Sequence, residues 1–198
     1  MQNRGTQTLQ YAFLMSFKIA TAKPIDLEAT KKCFRRVQEA NRLEGKIEFP
    51  SSLEPSEEEL EAGRILILKE QGRVYGGLIF THDVKKAFFP HSSSWKELDS
   101  LLEDCGSTSE SLLAITFLFI DPSYRHKGLG SLLLQDWMRR HPQSDIFLAC
   151  PLDLMDVVPF FQKKGFQRGK PLDIPGIGKT VCLYYLHHSD GLCRNLFC

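Results

Sequence analysis

The sequence predicts a mixed α/β domain, and three observations carry that reading. Short apolar runs of strand length alternate with stretches whose apolar residues recur at helical spacing. Helical stretches open on capping residues and close on glycine or proline, as at Ser56-x-x-Glu59 before Gly63 and at Arg139-Arg140-His141 before Pro142. Leu112 to Ile120 is a continuous apolar run, as expected of a strand covered on both faces.

Taken in order, residues 1–14 have no clear period and read as a poorly ordered extension. Met15 to Ala20 alternates and reads as a first strand, with Met15 a possible natural start. Lys23-Pro24-Ile25-Asp26 opens a helix with Asp26 as N-cap; Leu27, Thr30, Phe34 and Val37 face the core, and Gly45 stops it. A short helix follows Ser56 and ends at Gly63. Ile65–Leu68 and Val74–Phe80, joined at Gln71-Gly72, form a hairpin. Residues 85–110 read as an insertion holding one helix, with Ser94-x-x-Glu97 at its start and Gly106 at its end. After the Leu112–Ile120 strand comes a helix from Gly128 that turns Leu129, Leu132, Leu133 and Trp137 to the sheet. Ile146–Cys150 is a strand, and about Asp156 to Lys164 a helix ended by Gly165. Phe166 begins a strand, Pro171 to Lys179 is a loop, Thr180 to His188 is a final strand, and residues 189–198 are a tail.

Composition narrows the class of protein. A chain of 198 residues has room for one domain with a good core. Lys+Arg 25 against Asp+Glu 24 gives a formal charge of +1, which argues against a general nucleic-acid binder. No apolar run reaches the ~18 residues needed to span a bilayer, and Tyr11–Met15 is too short for a signal peptide. The six cysteines form no C-x-x-C pair, so no zinc site or redox motif is visible and no metal is expected. Together these features read as a reduced, cytoplasmic protein acting without membrane or nucleic acid; they leave its oligomeric state, monomer or homodimer, open.

The stretch from Leu118 to Ser131 carries the chemistry. An apolar strand runs into a short basic turn with two glycines, then into the first turn of a helix. Helix N-termini leave N–H groups without intrahelical partners and carry partial positive charge, so an anion is stabilised there. Gly128 and Gly130 let the main chain approach a ligand closely. Arg125-x-x-Gly128-x-Gly130 resembles the pyrophosphate loop of the GCN5-related N-acetyltransferases (GNAT), with Pro122 before it and a Leu-rich helix after it. The dinucleotide fingerprint instead wants glycine where Arg125 stands. Val157-x-x-Phe160-Phe161-x-Lys163-x-Gly165-Phe166 is similar to a second motif of that superfamily, and the element order matches over about residues 15–188.

The resemblance implies a strongly twisted central sheet of about six to seven strands flanked by helices, with one helical insertion. It implies acetyl-CoA as cosubstrate, lying where the pyrophosphate-loop strand splays from its neighbour. Backbone of Leu118 and Ile120, with Phe119 between them, would pair with the pantetheine arm. N–H groups from His126 through Lys127, Gly128, Leu129 and Gly130 to Ser131 would hold the pyrophosphate beside Arg125. The helix of Phe160, Phe161 and Lys163 would pack by the thiol. The implied reaction is direct attack of a primary amine, on a small molecule or a peptide, on the thioester in a ternary complex. Family members frequently place a Tyr as general acid where this chain has Phe161, and a Glu as base near Ala114–Phe117, where none stands.

That departure leaves open a CoA-binding sensor or interaction protein, and a transferase for a longer acyl chain. Thr116, Tyr184 and Tyr185 are the replacement catalytic candidates. The tyrosines read equally as strand aromatics packed on a helix. Cys150 reads as a buried hydrophobe, Asp121 as a turn-fixing residue, Asp153 and Asp156 as helix caps, and His187-His188 as a strand end. Gly176-Ile177-Gly178-Lys179-Thr180 ends like a P-loop, but Asp173 occupies the place of its first glycine.

Overall fold

The computed structural model describes residues 12–46, 53–84, 100, 112–151, 154, 157–174 and 179–186. Its elements run β1 (Lys18–Thr21), α1 (Leu27–Leu43), α2 (Glu57–Glu61), β2 (Ile65–Glu70), β3 (Arg73–Thr81), β4 (Leu112–Ile120), α3 (Leu129–Arg140), β5 (Asp145–Pro151), α4 (Val158–Gln162), β6 (Gln167–Ile174) and β7 (Lys179–Leu186). Seven strands make one open mixed sheet in the order β1-β2-β3-β4-β5-β7-β6. The mixed α/β class and the strand number agree with expectation. Contacts divide the chain into two units, Met1–Ile79 with Phe117–Arg140 and Phe80–Thr116 with His141–Cys198.

In the first unit, β2 pairs antiparallel with β1 and with β3. The β2–β3 turn is Gln71-Gly72, both at positive φ (48° and 78°), which matches the twist of the flanking strands. Strand alternation sends Ile65, Ile67 and Val74 into one apolar cluster with Phe34 and Val37 of α1 and with Phe117 and Phe119 of β4. Phe34 lies 4.9 Å from the Phe117 ring and 5.6 Å from the Phe119 ring. Leu68 and Tyr75 belong to a second cluster with Phe17 and Leu129. Helix α3 buries Leu129, Leu133, Leu134, Trp137 and Met138.

Two expectations for this unit are corrected. Residues 12–15 are helical, and the first strand starts at Lys18 rather than Met15. Helical spacing sets the Phe13 and Phe17 rings 5.1 Å apart, and both join the second cluster, which outweighs the strand-like alternation. Asp26 does not cap α1 with its side chain. Its carboxylate accepts from the Lys23 N–H at 3.1 Å and from Lys69 Nζ of β2 at 2.8 Å. By contrast the Ser56–Glu59 box forms on both sides, with Glu59 N–H donating to Ser56 Oγ and Ser56 N–H to Glu59 Oε2.

In the second unit, β4 pairs in parallel with β5 over Leu112–Ile115 against Asp145–Leu148. Strand β7 pairs antiparallel with β5 and β6. Pro171–Ile174 belong to β6, where the sequence predicts a loop. The reason is position: β6 is the edge strand, and its register shifts between Arg168 and Pro171. An edge strand with a bulge tolerates the missing N–H of proline. Helix α4 is shorter than expected, and Gly165 closes it at φ 87°. The insertion helix expected within 94–106 lies outside the described residues apart from Ser100, as do Asp153, Asp156, Gly176–Gly178, His187, His188 and the tail. No helix among the described residues is long and apolar enough to cross a membrane.

Candidate functional site

The candidate site begins where β4 ends. The Asp121 N–H donates to the Tyr75 carbonyl of β3 at 2.7 Å. Backbone groups alternate along a strand, so those of Leu118 and Ile120 point away from β3. Both residues lie past Ile115, the last β4 residue in register with β5. The apolar run is fully covered only as far as Ile115; beyond it Phe117 and Phe119 are buried while Thr116, Leu118 and Ile120 are half-buried. Gly76 and Gly77 make the close approach possible. A Cβ at Gly76 would meet Ile120 Cδ1 at 2.6 Å, and one at Gly77 the Phe119 ring at 2.5 Å.

Asp121 is only 2% exposed. It caps the 3-10 turn Pro122–Tyr124 by accepting the Ser123 N–H at 3.2 Å. Its Oδ2 also accepts from Arg36 Nε at 2.9 Å and lies 2.8 Å from Arg36 Nη2 and 3.6 Å from Arg73 Nη2. The turn-fixing role expected of Asp121 therefore holds. Its two arginine partners were not visible in sequence, because they stand 85 and 48 residues upstream.

The chain then curls into a cradle. His126 has φ 61° and Gly128 φ 87°, and α3 starts at Leu129. Alternating left-handed residues turn successive N–H groups toward one concavity, which binds anions. At the head of α3 the Leu132 N–H donates to the Gly128 carbonyl at 3.0 Å, so Leu129, Gly130 and Ser131 supply the first-turn N–H groups that a helix leaves outside its own ladder. The α3 dipole adds partial positive charge at the same place. His126 and Lys127 are exposed, and Lys127 Nζ rests 4.6 Å from the centre of the Tyr124 ring. Arg125 turns away: Nη2 donates to Asn41 Oδ1 at 3.0 Å, and Nη1 lies 3.4 Å from Glu44 Oε1, both at the end of α1. The donors, shape and charge suit a diphosphate.

In the second unit Phe161 is buried, its ring 5.0 Å from Phe160, 5.6 Å from Phe166 and 5.9 Å from Tyr184. Tyr184 is 0% exposed, the geometry of a core aromatic rather than of a side chain reaching a ligand. Tyr185 is half-buried and its hydroxyl donates to Gln167 Oε1 at 2.9 Å. Lys163 is exposed, and burial pushes the neighbouring Lys164 amine below its ordinary value. Cys150 is buried, as its strand position suggests.

The strand that delivers its last residues to a glycine-bearing turn at a helix start lies in an open mixed sheet, and sequence comparison identifies the family. The family model described as Acetyltransferase (GNAT) family matches residues 32–166, and the chain belongs to that family of acetyltransferases. Solved structures share its fold at low identity. An N-acetyltransferase from Staphylococcus aureus Mu50 is 16% identical with a TM-score of 0.56, covering 85% of this chain and 100% of its own. The ribosomal-protein-S18-alanine N-acetyltransferase from Escherichia coli is 13% identical with a TM-score of 0.55, covering 86% and 92%. A mosquito arylalkylamine N-acetyltransferase like 5b is 15% identical with a TM-score of 0.59, covering 86% and 99%. Among curated proteins the sequence finds no match.

Proposed function

We propose that this acetyltransferase moves an acetyl group from acetyl-CoA to a primary amine by direct attack in a ternary complex. The observation that carries the reading is the start of α3, where Leu129 to Ser131 present first-turn N–H groups just after a loop curled by His126 and Gly128 at positive φ. Those groups and the Ser131 hydroxyl bind the diphosphate. Backbone of Leu118 and Ile120 pairs with the amide-bearing arm as an added strand would. Acetyl-CoA supplies an activated acyl carbon: the amine nitrogen bonds to it, the C–S bond breaks, sulfur takes up a proton and the nitrogen gives one up. Relatives of the same fold are named for amine acceptors, an alanine and an arylalkylamine, which supports an amine here.

Phe161 has no proton to donate, and Tyr184 is buried against it. Of the candidates, Tyr185 keeps a partly exposed hydroxyl, and Thr116 is half-buried without a carboxylate near it in sequence. Phe161 also favours a second reading, in which the protein binds CoA without transferring an acyl group. A longer acyl donor is a third. Cys33, buried and outside any disulfide, supports a reducing, cytoplasmic setting.

Calorimetric titration with acetyl-CoA, alongside Gly130→Glu, tests the site. Binding that the variant abolishes is the expected result; no binding by the intact protein would overturn the proposal. Thiol release with a panel of amines then separates transferase from sensor, and a comparison of acetyl with longer thioesters identifies the donor.

A further inference from the structure

We propose that α1 holds the anion-binding loop in shape by gripping both ends of the 3-10 turn that leads into it, and that Arg125 is a positioning residue in this grip rather than a contact to the ligand. The inference rests on the reading that the loop binds the diphosphate of acetyl-CoA. At the near end, Arg36 of α1 holds buried Asp121 through Nε and Nη2, and Nη2 also reaches the Val74 carbonyl at 3.4 Å. At the far end, Arg125 gives its guanidinium to Asn41 and Glu44 of the same helix. The two grips match in length. Arg36 and Asn41 are separated by about 7.5 Å of α-helical rise. Asp121 and Arg125 flank a 3-10 turn, whose rise of ~2.0 Å per residue spans about the same distance.

The residue after the far grip shows what the clamp holds. His126 sits at φ 61°, a region that favours glycine and that other residues keep only when their surroundings demand it. It is exposed, so its own side chain is not packed into place. The constraint falls on the backbone from its neighbour Arg125, fixed to α1. A loop already in its binding shape spares the ligand the cost of ordering it. Arg36, Asn41 and Glu44 thus set affinity for a ligand that the cradle, not α1, touches.

Calorimetry with acetyl-CoA on the full chain, for Asn41→Ala, Arg125→Ala and the double variant, tests the clamp. Each single change is expected to raise Kd about five- to tenfold, as loss of a charge-assisted hydrogen bond would, with the double no weaker than the worse single. Unchanged affinity in Asn41→Ala, with Arg125→Ala impaired, would make Arg125 a direct contact and overturn the proposal. So would multiplicative losses, or a lowered melting temperature with unchanged Kd. Arg36→Lys is expected to recover part of the affinity lost in Arg36→Met. If the intact protein binds no acetyl-CoA, the functional reading fails on its own. The clamp then stands or falls on NMR order parameters of the amides from His126 to Ser131: lower in Asn41→Ala supports it, and identical values overturn it.

Discussion

Cys33 shows how far burial reshapes one side chain. It is fully buried on α1, and that burial pushes its thiol from 9.0 up to about 11, against the opposing pull of the Arg36 charge. Its thiol form is what the core accepts. The stability this supplies is complete below pH 9.0 and is lost as pH climbs toward about 11. At pH 8 the native protein is expected to leave Cys33 unlabelled by iodoacetamide and to label it once unfolded, as read by peptide mass spectrometry. Labelling at equal rates in both states would contradict that burial. The two strand glycines give a second residue-level prediction. At Gly76 an added methyl meets the Phe119 carbonyl at 2.7 Å, backbone that cannot swing aside. Gly76→Ala is therefore expected to cost about 1–3 kcal/mol in denaturant unfolding, as overpacking does.

At the scale of elements, sequence spoke most clearly where local chemistry decides. The Ser56–Glu59 box, the Gln71-Gly72 turn and the stop at Gly45, with φ 66°, all form as their residues demand. Ser56→Ala is expected to cost about 1 kcal/mol and to fray α2 first, measurable as faster amide exchange from Glu57 to Leu60. Legibility failed where the deciding partner is distant. Nothing in Pro171 announces an edge strand, because edge position follows from the β5-β7-β6 order. Alternation could not decide between Tyr184 and Tyr185; only the cluster around Phe161 shows which one turns inward. The motif identified the cradle, but it could not reveal that its arginine is committed to Asn41 and Glu44, 84 and 81 residues away.

For the molecule as a whole, charge balance is the property sequence determines outright. A formal charge of +1 and a pI of about 7.6 leave little net repulsion between copies near neutral pH. Solubility in polyethylene glycol is expected to pass through a minimum close to pH 7.6 and to rise on either side. A monotonic profile would show that a local patch, not net charge, governs association. The family and the fold were legible across most of the chain because the loop motif, the strand before it and the order of elements all agree. The acceptor was not, since one scaffold of this kind carries many amines.

The paired glycines of β3 have one more consequence. Phe119 Cζ stands where a Gly77 side chain would begin, so the two positions share a single allotment of volume. Whatever one gains the other must give up. Gly77→Ala and Phe119→Leu should each destabilise the protein alone, the first by crowding and the second by leaving a void. Combined, they should cost less than their sum, so that residues 42 positions apart behave in a library of variants as one two-letter word.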